Sequence, residues 1–158
     1  MSHLSWTLPA FPAPNQGISQ QGAVRQIDKL YGRDIWWNYA AQGVVQRQVA
    51  DDGDWRSVGG IEALRQAIIR RIITNPGEWT TLPSFGVGAR NYVKARNVRS
   101  TRDELTNRIK EQLLQDPRIE RVEQVIVEAR ESVLRIQIQV TPKARLSPNG
   151  VGVVLEIQ

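Results

Sequence analysis

Apolar residues recur along this chain with two different periods, and each change of period marks an element boundary. Ile61, Leu64, Ile68 and Ile72 fall three or four positions apart, with Ile69 and Ile73 beside them. Glu62, Arg65, Gln66, Arg70 and Arg71 occupy the other side, so the spacing predicts an amphipathic helix over residues 60–74. Asn75-Pro76-Gly77 stops it, because proline disfavours helical geometry in the residue before it and supplies no amide hydrogen. Leu105, Ile109 and Leu113, with Leu114 beside them, predict a second helix over residues 101–115. It opens on Thr101-x-x-Glu104, the pattern of a capping box, in which hydroxyl and carboxylate each satisfy an amide hydrogen of the first turn. Asp116-Pro117 ends it.

The period then drops to two. Val125 and Val127 alternate with polar neighbours, and Leu134, Ile136, Ile138 and Val140 alternate with Arg135, Gln137 and Gln139, the mark of a sheet covered on one face. After a turn at Ser147-Pro148-Asn149-Gly150, Val153, Leu155 and Ile157 complete a last strand. Nearer the start, V-V-Q-R-Q-V within Gly43 to Val49 predicts a strand, Asp51-Asp52-Gly53-Asp54 a turn, and Trp55 to Val58 a short return strand. The expected fold class is α+β, two helices packed on one face of a mainly antiparallel sheet.

Two stretches lack periodicity. Residues 1–26, with Pro9, Pro12 and Pro14 among Gln, Ser and Asn, read as an extended N-terminal arm that gains order against a partner. Residues 27–158 then form a single domain, entered through the segment Leu30 to Trp37, whose aromatic residues Tyr31, Trp36 and Trp37 read as a core anchor in preference to a binding surface. The second stretch, residues 76–88, places Trp79, Leu82, Phe85 and Val87 among Gly77, Pro83, Gly86 and Gly88. No Gly-Lys-Ser/Thr follows and a third fingerprint glycine is missing, so it is no phosphate loop. It reads as a packed loop that buries its aromatic residues and sets the angle between the helices.

Composition removes alternatives. A chain of 158 residues fits one domain with a working core. It has no cysteine, which excludes a disulfide scaffold, thiolate metal sites and a cysteine nucleophile. The start is not a signal peptide, and no apolar run approaches the roughly 18 residues that cross a bilayer. Lys and Arg exceed Asp and Glu by five, 21 against 16, which suits an acidic partner as well as simple solubility. Arg90, Lys94, Arg96, Arg99 and Arg102, with Tyr92 among them, form the best nucleic-acid signal, but with one ring and no recognised motif.

Catalytic chemistry is short of parts. His3 is the one histidine and lies in the arm, so neither a Ser-His-Asp triad nor a histidine metal site is available. Glu78, Glu104 and Asp116 are the carboxylates to weigh for glycoside hydrolysis, and each also has a structural place, in the loop, at the cap and at the helix end. The expectation is no enzyme, no cofactor and no metal.

The order helix, Gly/Pro-rich loop, helix, Asp116-Pro117-Arg118 and alternating strands resembles the W-like baseplate wedge family of contractile phage tails, which includes the type VI secretion baseplate protein TssE. The matching residues are G-D-W-R-S-V-G-G-I-E-A-L-R-Q-A-I from Gly53, Thr74-x-x-Gly77-Glu78, Pro83-x-Phe85-Gly86 and D-P-R-I-E-R-V from Asp116, within about residues 53–157. The family usually has Glu-Pro-Arg where this chain has Asp116-Pro117-Arg118; the shorter acid puts a family salt bridge in question there. The resemblance implies a structural subunit that joins the wedge core to the first sheath ring and templates the sheath by strand sharing. Its implied partners are other wedge proteins and the tail sheath protein, with tail tube or hub proteins as further neighbours, and neither membrane nor nucleic acid. Its implied place is the tail baseplate of a virion or equivalent injection particle, assembled in the bacterial host cytoplasm. The implied partner-binding residues are Asp116, Pro117 and Arg118, the loop residues Pro83, Phe85 and Gly86, and Val153, Leu155 and Ile157 on the last strand. Arg118 after a rigid proline suits either a bidentate contact to a partner carboxylate or an internal bridge. From the residues alone, the alternative is a basic nucleic-acid-binding module, and the third reading is a lysozyme-like glycosidase.

Overall fold

In chain order the strands and helices are β1 (Arg33–Ile35), β2 (Trp37–Asn38), β3 (Gln46–Arg47), β4 (Ser57–Gly59), α1 (Gly60–Ile73), α2 (Arg99–Leu114), β5 (Ile119–Arg130), β6 (Val133–Pro142) and β7 (Val151–Ile157), with a 3-10 turn at Ala89–Tyr92. They come from a computed structural model that describes residues 31–38, 46–47, 49, 53–93, 95, 98–130, 132–143 and 150–158. The N-terminal arm lies outside the described residues, as do Leu30, Lys94, Arg96 and most of the turn before Gly150. The architecture is α+β, and α1 and α2 accompany antiparallel sheets among the described residues. The chain divides into two units, Met1–Leu64 and Arg65–Gln158.

In the first unit, the described residues of the expected hairpin are joined by an antiparallel bridge, Val49 with Trp55, across the turn in which Gly53 takes φ 84°. Its two arms find further partners in the segment before them. β4 pairs with β1, Arg33 opposite Gly59, and β3 pairs with β2, Trp37 opposite Arg47. Periodicity gave no sign of this, since strands of two or three residues are too short to alternate. The aromatic group is also less buried than a core anchor would be. Tyr31 alone is buried, at 1% exposure, whereas Trp36 and Trp37 are half-buried and Trp55 is exposed. Trp36 is covered on its face by Arg56, whose guanidinium carbon lies 5.4 Å from the ring centroid.

The second unit carries the larger sheet, in the order β5-β6-β7. β6 has the cleanest alternation and is the middle strand. Leu134, Ile136, Ile138 and Val140 are buried, and so are Val151, Val153, Leu155 and Ile157 opposite them on β7. β5 is longer than alternation predicts and begins at Ile119, because two register shifts, at Ile119/Arg121 and Val122/Gln124, break its period. α2 packs against β5 with Leu105, Ile109 and Leu113 buried. Leu114, expected beside that stripe, instead stands 55% exposed, one position off the buried face.

The expected capping box does not form. α2 begins at Arg99, two residues before Thr101, so Val98 is the N-cap and provides no side-chain hydrogen bond. Glu104 is used elsewhere, accepting from the Tyr92 hydroxyl at 3.0 Å. Among the described residues no helix is long and apolar enough to cross a membrane.

Candidate functional site

The Gly/Pro-rich loop is held by hydrogen bonds that begin at the end of α1. Thr74 is buried and its hydroxyl bonds back to the Arg70 carbonyl at 2.7 Å. The Thr74 carbonyl then accepts from the Gly88 amide at 2.8 Å, and the Arg71 carbonyl accepts from Val87 at 2.9 Å, so the loop's far end returns to the helix it left. Inside it, Gly77 donates to the Pro83 carbonyl, Leu82 to Trp79 and Phe85 to Leu82, all between 2.8 and 3.1 Å. Glu78 caps the first bend by accepting from the Asn75 amide at 2.8 Å.

Gln112 ties this loop to α2. Its side-chain oxygen accepts from the Gly86 amide at 3.1 Å and its amide nitrogen donates to the Ser84 carbonyl at 2.9 Å, while its own backbone carbonyl accepts from Arg71 Nη1 at 3.0 Å. A side chain only 9% exposed thus has both ends satisfied, as a buried carboxamide requires. Arg71 also lies over the Phe85 ring, 4.5 Å from its centroid, and Phe85 stacks on Trp79 at 4.9 Å with 10° between the planes.

The loop therefore orders its aromatic residues without burying them. Phe85 is half-buried, but Trp79 is 40% exposed and Leu82 50%, with Pro83 exposed beside it. The expectation of buried loop aromatics is corrected: Arg71 and the stack hold the rings in place while Trp79 and Leu82 stay exposed at the tip.

One turn beyond Gln112, α2 ends on the Asp-Pro-Arg exit. Asp116 is 5% exposed and takes Arg118 in a fork, Nε to Oδ1 at 2.9 Å and Nη2 to Oδ2 at 2.7 Å, and also accepts the Arg118 amide at 3.0 Å. The shorter acid therefore reaches its bridge within the exit itself, two residues on, and of the two readings of Arg118 the geometry shows the internal one. Burial is the largest single influence on the Asp116 carboxyl and pushes it up, but the Arg118 side chain and amide, with the fields of Arg118 and Arg71, together hold it below its ordinary value. Burial lowers the Arg71 pKa most, Asp116 raises it and Arg118 lowers it, leaving it below the ordinary arginine value. Pro117 is exposed between the paired residues.

Val153, Leu155 and Ile157 are placed differently from the loop and the exit. Their side chains face the core, 3 to 7% exposed, so what β7 offers outward is backbone and the other parity of side chains, of which Val154 is 42% exposed. Of the acids weighed for hydrolysis, Asp116 is bridged by Arg118, Glu78 accepts from the Asn75 amide and Glu104 accepts from the Tyr92 hydroxyl. Of the basic run, Arg99 pairs with Asp103 at 3.7 Å. Among the described residues no group of three or more acids and histidines is placed to hold a metal ion.

Residues 33–144, more than half of the chain, match the model of the contractile injection system sheath initiator. The chain belongs to the sheath initiator family. Two solved structures are similar to it. One is the cryo-EM baseplate of the anti-feeding prophage, symmetrised six-fold; a chain in it is 25% identical, with TM-score 0.54, over 72% of this chain and 89% of that one. The other is a crystal structure from Geobacter sulfurreducens of a protein provisionally labelled a tail lysozyme, 27% identical, with TM-score 0.50, over 61% of this chain and 87% of that one. No curated protein matches the chain. Membership in the sheath initiator family places the chain in a contractile injection system, and both similar structures are of tail or baseplate proteins.

What sequence reasoning missed in this sheath initiator is the bonding of Arg71 and Gln112 and the exposure of Trp79 and Leu82. A signal for Gln112 existed: three positions after Ile109 and next to Leu113, it is a polar residue on an apolar stripe, where an unpaired carboxamide would be costly. Arg71 gave none, because an arginine on a helix flank is ordinarily solvated.

Proposed function

We propose that this chain is the baseplate wedge subunit on which the sheath starts: it joins the wedge core to the first ring of tail sheath and templates that ring by strand sharing. The observation that carries the reading, beyond the family itself, is that β7 is an outer strand among the described residues, laddered to β6 over seven consecutive pairs and apolar toward the core. An outer strand offers unpaired amides and carbonyls, and a neighbour's extended segment completes them with main-chain bonds that depend little on its sequence. β5, the other outer strand, is a poorer acceptor. Its two register shifts interrupt the ladder, and Glu123 beside them accepts at 2.7 Å from Arg121 on its own strand and from Thr141 on β6.

The role is structural rather than catalytic, and its partners are wedge, sheath and adjoining tube or hub proteins. The lysozyme label on a similar structure does not change this reading, because each of the three candidate carboxylates has a structural place, in a salt bridge, a loop cap and a tyrosine contact. The place of action is the baseplate of a particle assembled in the bacterial cytoplasm. The test is removal of the chain from the producing strain, followed by electron microscopy of its particles. Baseplates and tubes without sheath, restored by the wild-type chain, are expected; normal sheathed particles without the chain would overturn the proposal.

A further inference from the structure

We propose that the loop tip, Trp79 with Leu82, is an anchor that seats in an apolar pocket of a neighbouring baseplate subunit flanked by acidic residues, and that Gln112 is the positioning residue that presents it. The inference rests on the baseplate reading above and names a second contact, distinct from the β7 edge. Trp79 and Leu82 are 40% and 50% exposed, yet the backbone that carries them is held by bonds to Thr74, Arg71, Pro83 and the Gln112 side chain. Trp79 is further fixed by its stack on Phe85, itself pinned under Arg71. A large apolar side chain displayed on an already ordered segment loses little conformational freedom on docking, which is the condition under which an exposed tryptophan becomes a binding hot spot.

Charge selects the partner. Arg70 and Arg71 end α1 beside the loop, Arg118 follows α2, and the Lys143 amide joins the Arg118 carbonyl at 2.9 Å. Asp116 is bridged by Arg118, and Glu78 holds the Asn75 amide. Arg71, held over the Phe85 ring on which Trp79 stacks, puts a cation beside the tip, so the complementary surface is an apolar pocket with carboxylates at its rim. Gln112 acts through the loop: losing its carboxamide removes the bonds at Ser84 and Gly86 together and frees the tip to move.

The test uses the full chain in assembled particles. A photo-crosslinking amino acid replaces Leu82 or, as a control, Leu114, which is 55% exposed on the far side of α2 from Gln112. Crosslinks from position 82, and not from 114, to a segment of another baseplate protein that carries acids beside apolar residues are expected. No crosslink from 82, or a crosslink to a second copy of this chain, would overturn the proposal. Trp79→Ala with Leu82→Ala should lower incorporation into baseplates about tenfold or more, with melting lowered by no more than about 5 °C, the share expected from losing the stack on Phe85. Gln112→Leu should lower incorporation in the wild-type background and have no further effect in the Trp79→Ala, Leu82→Ala background. An equal fall in both backgrounds would make Gln112 merely structural and overturn its assignment. If the wild-type chain itself is missing from baseplates, the functional reading fails; if it is present and the double variant enters as well, only the anchor fails.

Discussion

A Cβ added at Gly86 would stand 2.3 Å from the carbonyl oxygen of Thr74, closer than any real side chain approaches backbone. The same residue takes φ 106°, outside the range that side chains tolerate, and its amide is the donor to Gln112. Gly86→Ala therefore meets both a clash against backbone and torsional strain. A loss of about 2 to 3 kcal/mol is expected. In a chain of this size that is a fall of about 5 to 10 °C in melting temperature, read by circular dichroism. A change under about 2 °C would show that the loop shifts freely, and that Thr74 does not fix it.

The Asp116–Arg118 bridge predicts both a mutational and a pH effect. Arg118→Ala leaves a carboxylate that is 5% exposed without its fork, and because the Arg118 side chain is 26% exposed water compensates part of the loss; about 1 to 3 kcal/mol is expected. The Asp116 pKa is depressed on folding, so its contribution is fully present above the unfolded carboxylate value, about 4, and disappears as pH falls through the lower folded value. Denaturant unfolding should thus find the wild type losing stability below about pH 4. Asp116→Asn should be less stable at neutral pH but show a flatter acid limb. Parallel acid limbs in the two proteins would mean that the bridge is not what titrates.

The start of α2 gives a stabilising prediction. Val98 sits at the N-cap with φ −104° and ψ 154°, the extended geometry that a capping side chain uses, but it has no oxygen to offer. Val98→Ser should stabilise the chain by about 1 kcal/mol, whereas Thr101→Ala, inside the first turn, should change the melting temperature little. The opposite ranking in thermal melts would restore Thr101 as the cap.

What the chain disclosed in advance depended on how far each feature repeats. α1, α2, β6 and β7 each carry three or more buried residues at a constant spacing, and a constant spacing is a statement about one face. β3 and β4 fall at the two strands expected on either side of the Gly53 turn, whereas β1 and β2, two or three residues long and paired through contacts between segments, gave no sign. The capping box failed because the Thr101 and Glu104 pattern fits equally well one turn inside a helix, and the glutamate had a competing partner in Tyr92. At the site, Asp116 and Arg118 were legible because they are two residues apart. The loop's attachment was not, because it runs through Gln112, 26 residues from the Gly86 amide that it holds. The exposure of Trp79 was misread for a related reason: an aromatic residue between glycines and prolines predicts packing of some kind, and here the packing uses one face of the ring.

The last prediction tests strand sharing through the parity of β7. Two residues separate Arg130 from Val133, which pair across the β5–β6 hairpin, and in so tight a hairpin the closing pair exchanges both hydrogen bonds. The Val133 amide therefore faces β5, and since amides alternate along a strand, those of Leu134, Ile136, Ile138 and Val140 face β7. Their partners Ile157, Leu155, Val153 and Val151 face back, leaving the amides of Gly152, Val154 and Glu156 directed to the outer edge. Proline removes one amide donor and fixes φ near a value that an outer strand tolerates on its free side. Val154→Pro and Glu156→Pro should therefore keep the β6 ladder and the core, melt within a few degrees of wild type, and block sheath assembly on baseplates. Val153→Pro and Leu155→Pro remove donors to β6 from side chains that are 5% and 3% exposed, and should unfold the protein outright. If the chains with proline at 154 and 156 fold and still start sheaths, no strand is donated to β7, and side-chain contacts such as the Trp79 tip must carry the attachment alone.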